Sequence, residues 1–482
     1  MKIVYLNGPY HRLAYSRSSR SPAVTKSGTV YYPLWLAYAA GVARQEENFD
    51  VELIDAVARR WDRSDVVKYL RDASPELVFC DTSTPSIDED MATAGAIKDA
   101  LEHCRVVMVG THATALPEEV LRAQPRIDAV ARGEYDITAV ELAKAQREGR
   151  SWKTVDGVTL RQGEELVVSP DRQLIQDLDK LPFVSKVYKE SLRLKDYFFS
   201  AAQFPMVMII TSRGCTHRCR WCLYPQVMHR GKYRMRSSEN VAAEFAYIAQ
   251  ELPGVREIGI EDDLFTGSKR RLRDICELLI AQNNRLNFWC DTRVDLDYET
   301  MRLMKAAGCR LLIAGFESAD QAILDRIDKG TQSEQAGQFM ADARRAGLLV
   351  HGCFVLGNPG ETYASMQVTL EFAKKLDPDT VQFFPMIVYP GTSMYRWASE
   401  NHYLRSENYN EWLTAEGLHN SVVDIPGLEG REVVRFCNYA RREFYLRRNY
   451  IFRKLIQSFT SGHEAKRNIK AFRRFARHLI AG

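Results

Sequence analysis

The stretch Thr211-Ser212-Arg213-Gly214-Cys215-Thr216-His217-Arg218-Cys219-Arg220-Trp221-Cys222 decides how the rest of the chain reads. It follows a strand-sized apolar run from Phe204 to Thr211, and Gly214 lets the backbone turn sharply before the first cysteine. Three thiolates at this spacing on one short loop can each take one iron of a cubane, leaving the fourth iron without a protein ligand. An open iron is a binding site. Arg213, Arg218 and Arg220 would favour the thiolate forms and lower the proton cost of metal binding. The alternative is a tetrahedral zinc site completed by His217 or His229. Against it, the spacing differs from the common paired zinc motifs, and His217 lies only two residues from each flanking cysteine.

Downstream of this loop, strand-like segments recur near MVMIITS, REIGIED, LNFWCDT, RLLIAGFE, LLVHGCFVLG and TVQFFPMIVY, with helical patterns between them. Such a series curls into a partial barrel over 205–394, with chemistry at the C-terminal strand ends. Upstream, KIVYLN, DVELIDA, PELVFCDT, RVVMVGT and DAVARG alternate with helical spacing over 33–44, 64–71, 88–101 and 137–148, the rhythm of a doubly wound parallel sheet over 1–150. Its ligand side falls at Asn7-Gly8-Pro9, Asp81-Thr82-Ser83, Gly110-Thr111-His112 and Gly133-Glu134. Residues 151–204 read as a connector with a small hairpin around Arg161-Gln162-Gly163, and 395–482 as a basic helical region. There Phe444, Leu446, Tyr450, Ile451, Leu455, Ile456 and Phe459 are expected to pack on the barrel. Arg441, Arg442, Arg447, Arg448, Arg453, Lys454, Lys466, Arg467, Arg473, Arg474 and Arg477 are expected to face water, or an anionic lipid or phosphate surface.

Composition narrows the class. Of 482 residues, 45% are apolar and 27% charged, so the chain has the makings of folded domains rather than disorder. A formal charge of +4 is too small to imply nucleic-acid binding. No secretory leader pattern opens the chain and no apolar run approaches bilayer length, so a cytoplasmic protein is expected. Outside the loop, Cys80, Cys104, Cys276, Cys290, Cys309, Cys353 and Cys437 stand singly and are expected to be buried, inert thiols.

Cys-x-x-x-Cys-x-x-Cys after the first barrel strand resembles the radical S-adenosylmethionine (SAM) superfamily over 205 to about 390. The resemblance implies a 4Fe-4S cluster on Cys215, Cys219 and Cys222, whose open iron chelates SAM. One-electron cleavage then yields a 5'-deoxyadenosyl radical, chemistry no amino-acid side chain can begin. It also implies that Trp221 lies against the adenine, and that a carboxylate of Glu261-Asp262-Asp263 meets the SAM ammonium where the family often has Gly-Gly-Glu. Arg293 and Glu317 would line the SAM carboxylate and ribose, and Gly357 would stand in the fifth-strand turn. Core packing is the lesser alternative for Trp221 and a buried ion pair that for each charged residue, but two charged residues at successive strand ends are better explained by a polar ligand than by packing.

A doubly wound domain ahead of such a barrel resembles the cobalamin-binding subfamily, which makes the strand-end residues named above cobalamin contacts. The Asp-x-His-x-x-Gly motif for a cobalt ligand is absent: Pro9 and Ala14 stand where Asp and Gly are needed, and His11 stands alone. The resemblance then implies methylation of an unactivated carbon with two SAM consumed, or alternatively a ring contraction, cyclisation or rearrangement. A noncatalytic iron-sulfur or zinc protein is the remaining alternative. Tyr31-Tyr32-Pro33-Leu34-Trp35-Leu36-Ala37 and Phe444-Tyr445-Leu446-Arg447 resemble a hopanoid-associated branch, which implies a lipid, lipid-linked, sugar or secondary-metabolite substrate. Implied partners are an external one-electron donor of the flavodoxin or ferredoxin type and a peripheral membrane contact through the basic C-terminal region, with no nucleic acid.

Overall fold

The computed structural model describes residues 1–460. Five strands, β1 (Lys2–Asn7), β2 (Asp50–Asp55), β3 (Leu77–Thr82), β4 (Arg105–Gly110) and β5 (Ala129–Ala131), pair in parallel in the order β2-β1-β3-β4-β5. Burial explains the geometry: all six residues of β3 are buried, as expected for a parallel sheet covered by helices on both faces. The hairpin expected in the connector instead extends this sheet. Its strands β6 (Val158–Gln162) and β7 (Glu165–Val168) run antiparallel beyond β5, so the first sheet has seven strands.

Six further strands form the second sheet: β8 (Met206–Ile209), β9 (Glu257–Ile260), β10 (Asn287–Thr292), β11 (Cys309–Gly315), β12 (Leu349–Leu356) and β13 (Thr380–Pro385). All neighbours pair in parallel in sequence order, and β8 and β13 remain unpaired with each other. The result is a six-stranded partial barrel with one open side. Alternation in β12 buries Val350, Gly352, Phe354 and Leu356 outward under the helices, while His351, Cys353 and Val355 face the barrel interior.

The two sheets share one core because helix Leu34–Ala43 is apolar all round and buries nine of its ten residues between them. Tyr32 and Tyr38 donate their hydroxyls to the carbonyls of Met206 (2.9 Å) and Ile210 (3.1 Å), fixing this helix to the first barrel strand. The segment 8–33 runs as a strap from β1 across to the barrel. It is anchored by fully buried Arg17, which pairs with Asp90 (2.5 Å) and donates to the carbonyls of Gly8 and Pro9.

At the C-terminal end, helix Gly430–Tyr445 packs along β13, and the Tyr445 hydroxyl donates to the Val381 carbonyl (2.7 Å). The expected apolar seam is only partly realised. Phe444 and Tyr450 are buried, but Leu446, Ile451, Leu455 and Ile456 are exposed, because Arg447 and Arg453 turn inward to Asp377 and hold helix Arg448–Thr460 by charge instead. Those two arginines are therefore paired and only partly exposed rather than fully solvated. Lys466, Arg467, Arg473, Arg474 and Arg477 lie outside the described residues, as does the Phe459 side chain. No helix among the described residues is long and apolar enough to cross a membrane. We predict that Phe444→Ala costs about 3–5 kcal/mol of stability, whereas Ile451→Ala changes it by less than about 0.5 kcal/mol; equal losses on chemical denaturation would contradict this packing.

Candidate active site

The cysteine loop is held from below by the end of β9. Asp262, fully buried, accepts from the Thr211 amide (2.5 Å), the Thr211 hydroxyl (2.6 Å) and the Ser212 hydroxyl (2.6 Å). Asp263 accepts from the Gly214 amide (3.1 Å). Gly214 sits at φ +84°, and a Cβ there would fall 2.0 Å from the Lys232 carbonyl oxygen, so only glycine closes this turn. Beyond it Cys215, Cys219 and Cys222 are half-buried, free, and line one cavity. Burial pushes the Cys215 thiol up to about 11, and the guanidinium groups that oppose burial belong to Arg293 at Cys215 and to Arg20 at Cys222. The expected helpers are elsewhere: Arg213 is buried against Asp136 (2.8 Å), and Arg220 reaches the Arg326 carbonyl.

His229 is committed as well. Its Nδ1 lies 2.6 Å from Glu134 and its Nε2 3.5 Å from Asp263 without a hydrogen-bond partner, and the ring does not line the cavity that the three thiols share. Three cavity-facing thiols on one short loop fit a cubane with an open iron.

Around this loop the cavity brings together Trp221, Glu261, Arg293 and Glu317, four of the expected SAM contacts. Trp221 Nε1, Arg293 Nε and Glu317 Oε2 are buried without a hydrogen-bond partner, capacity that a polar ligand would use, although Asp295 lies 3.8 Å from Arg293 Nε. The uncertainty over Glu261-Asp262-Asp263 resolves by direction: Glu261 and Asp263 face the cavity, whereas Asp262 is spent on the loop. Gly357 stands in the fifth-strand turn as expected. It does not line the cavity; its amide donates to Glu361 (2.7 Å) within the turn after β12.

Lys329, Arg20, Asp291 and Cys353, all lining the cavity, escaped the sequence reading. Lys329 donates to Glu317 (2.6 Å), and Arg293 donates to the Lys329 carbonyl (2.5 Å), linking the ends of β10 and β11. Arg20, from the strap, reaches Asp291 (3.0 Å), Glu261 (3.3 Å) and the Asp262 carbonyl. Burial pushes Glu261 up to about 8 against the pull of Arg20. Cys353 is the fourth: six of the seven scattered cysteines are buried as expected, but Cys353 is only partly so and lines the cavity. Period-two alternation in His351-Gly352-Cys353 could have signalled it.

The strand ends of the first sheet form a second polar region. Asn7 bonds Asp55 (2.8 Å) and Arg17 (3.0 Å), Ser83 bonds Tyr15 (2.6 Å), and Thr82 donates to the Val109 carbonyl (2.7 Å). Gly110, at φ +98°, lies so close to Asp81 and Thr82 that a Cβ would come within 2.5 Å. Gly133 at φ +67° closes the last turn. Glu134 ties the two units together. Burial alone would raise its carboxyl, but Arg234, Arg213 and His229 hold it well below the usual carboxylate range. Thr111 Oγ1 and Tyr135 Oη remain buried without partners, and burial pushes nearby Asp81 up to about 7 against Arg17. This unspent capacity, at the ligand side of a doubly wound sheet, fits a polar-edged cofactor such as cobalamin. His11 is an exposed loop residue.

His112 is fully inside the first unit, with Nδ1 3.2 Å from the Thr84 hydroxyl and its ring edge-on to Tyr409. Burial lowers it from 6.5 to about 3. The unfolded chain therefore takes up a proton that the folded chain refuses, and stability falls as pH drops from about 6.5 toward 3. We predict that His112→Asn flattens the acid side of the pH–stability curve, removing a slope of at most about 1.4 kcal/mol per pH unit; an unchanged curve would contradict a buried neutral imidazole.

With this geometry in view, the comparisons with known proteins agree. Residues 20–143 match the B12 binding domain, and residues 209–373 match the Radical SAM superfamily. An uncharacterized methyltransferase from Pyrococcus horikoshii is 32% identical over 89% of this chain and 91% of its own. The anaerobic magnesium-protoporphyrin IX monomethyl ester cyclase of Cereibacter sphaeroides is 25% identical over 82% of this chain; the match spans 63% of that protein. The fold is similar to that of the radical SAM methyltransferase TsrM from Kitasatospora setae, solved with cobalamin and a [4Fe-4S] cluster, with a TM-score of 0.68 at 19% identity over 91% of this chain and 88% of that one. The chain belongs to the cobalamin-binding subfamily of the radical SAM superfamily. It is an enzyme whose cofactors are a 4Fe-4S cluster, SAM and cobalamin.

Proposed function

We propose that the enzyme methylates an unactivated carbon of an elongated, largely apolar substrate carrying a polar terminus. The observation that carries this reading is the cavity. At about 1410 Å³ it exceeds the roughly 300–1,000 Å³ of an ordinary small-molecule site. Every residue of β13 contributes to its lining, so it follows the open side of the barrel for about 20 Å. Polar groups gather at the cysteine end, and Phe199, Phe383, Tyr445 and Leu446 add apolar lining together with the polar Asn438, Arg441 and Arg442.

The bound cofactors supply reductive SAM cleavage to a carbon radical and a transferable methyl group. Cys215, Cys219 and Cys222 would hold the cluster, and Trp221, Arg293 and Glu317 would orient SAM through the unspent atoms described above, with the Glu261 carboxyl beside them. Asp81, Thr111 and Tyr135 would meet cobalamin at the first sheet. Arg20 would hold the buried carboxylates of Glu261 and Asp291 between the two regions and help keep water from the radical. A lipid-linked substrate would enter past Leu446, Ile451 and Leu455, exposed at the far rim beside Lys454, where the basic C-terminal region would meet a membrane surface. The electron would come from an external flavodoxin- or ferredoxin-type donor.

A second reading, rearrangement or cyclisation without methyl transfer, is favoured by one observation: the cavity-facing thiol of Cys353. Anaerobic turnover distinguishes the two. S-adenosylhomocysteine together with 5'-deoxyadenosine supports methylation, and 5'-deoxyadenosine alone supports rearrangement. In either case we predict that Cys219→Ala, reconstituted with iron and sulfide, remains folded yet forms no 5'-deoxyadenosine; retained SAM cleavage would overturn the ligand assignment.

A further inference from the structure

Cys353 stands on β12 opposite Gly315 of β11 and Gln382 of β13, and all three residues line the cavity. It lies one layer below Glu317, whose amide donates to the Cys353 carbonyl (3.0 Å). Glu317 Oε2 is buried and unpartnered in the same cavity, which marks this layer as the place where a ligand meets the protein. The thiol therefore sits between the charged strand ends that would hold SAM and the apolar slot that would hold the substrate. No disulfide partner competes for it. Burial, with Glu317 and Asp291 adding to it, pushes Cys353 upward, so it keeps its proton across the physiological range.

We propose that Cys353 is the hydrogen-atom donor to carbon radicals formed in this cavity. The S–H bond of a thiol is weaker than the C–H bond it makes, so the transfer runs downhill. In the step, the carbon radical takes the hydrogen atom from Sγ, a C–H bond forms, the S–H bond breaks, and a thiyl radical remains. One electron from the external iron-sulfur or flavin donor and one proton from solvent restore the thiol. This inference rests on radical formation, which both readings above share, and adds an exit for the radical that neither specifies. Six of the seven scattered cysteines are buried. A seventh, turned into the cavity at the ligand layer, has this chemical use.

The test needs no knowledge of the substrate. Reconstituted protein is given SAM and reductant alone in D2O, so that the uncoupled 5'-deoxyadenosyl radical is quenched inside the cavity, and the 5'-deoxyadenosine is analysed by mass spectrometry. Wild-type protein should place an exchangeable deuterium in the product. Cys353→Ala and Cys353→Ser should lose that label while still cleaving SAM, and Cys437→Ala should retain it. Absence of the label in wild type, or its persistence in both Cys353 variants, would overturn the proposal. Absence of any SAM cleavage would instead overturn the proposed function. Independently of turnover, methyl methanethiosulfonate should modify Cys353 faster than Cys290, whose thiol burial also pushes upward; equal rates would show that the Cys353 thiol does not face the cavity.

Discussion

The site depends on one buried carboxylate. Asp262 accepts three hydrogen bonds from Thr211 and Ser212, so the end of β9 fixes the exit of β8 and, with it, the direction in which the cysteine loop leaves the sheet. A charged group inside the protein is tolerable only when donors surround it, and here those donors belong to the segment that must be positioned. Asp263 continues the same device to Gly214, where the absence of a side chain lets the loop pass against Lys232. The three thiols are thereby presented to the cavity by rigid strand ends.

A second set of charges joins the two units. Glu134, at the end of β5, gathers His229, Arg234 and Arg213 from the barrel side, and Arg20 carries the strap from the first unit to Glu261 and Asp291. Because each buried ion pair is costly if one partner is lost, these contacts hold the units in one relative position.

Much of this architecture was legible in the sequence, for reasons that also explain the failures. Cys215, Cys219 and Cys222 are local in sequence and chemically distinctive, and the strand series shows its own period. Glu261, Asp262 and Asp263 could not be told apart, because side-chain direction at the last residue of a strand depends on the turn that follows. Glu134 reads as a ligand at a strand end until its three partners, Arg213, His229 and Arg234, arrive from residues roughly eighty to a hundred positions away. Arg20 meets Asp291 across 271 positions, a juxtaposition that no local pattern encodes. At the C-terminal end the apolar spacing predicted packing, but Asp377 drew Arg447 and Arg453 inward and left Leu446, Ile451 and Leu455 outside.

The central claim is that the loop carries an iron-sulfur cluster with one iron open to SAM. The most direct measurement is the electron paramagnetic resonance spectrum of the anaerobically reconstituted, reduced protein, recorded without and with SAM. The account predicts a cluster signal that changes shape and position when SAM binds. A spectrum indifferent to SAM, or a protein that holds zinc and gives no cluster signal, would contradict it.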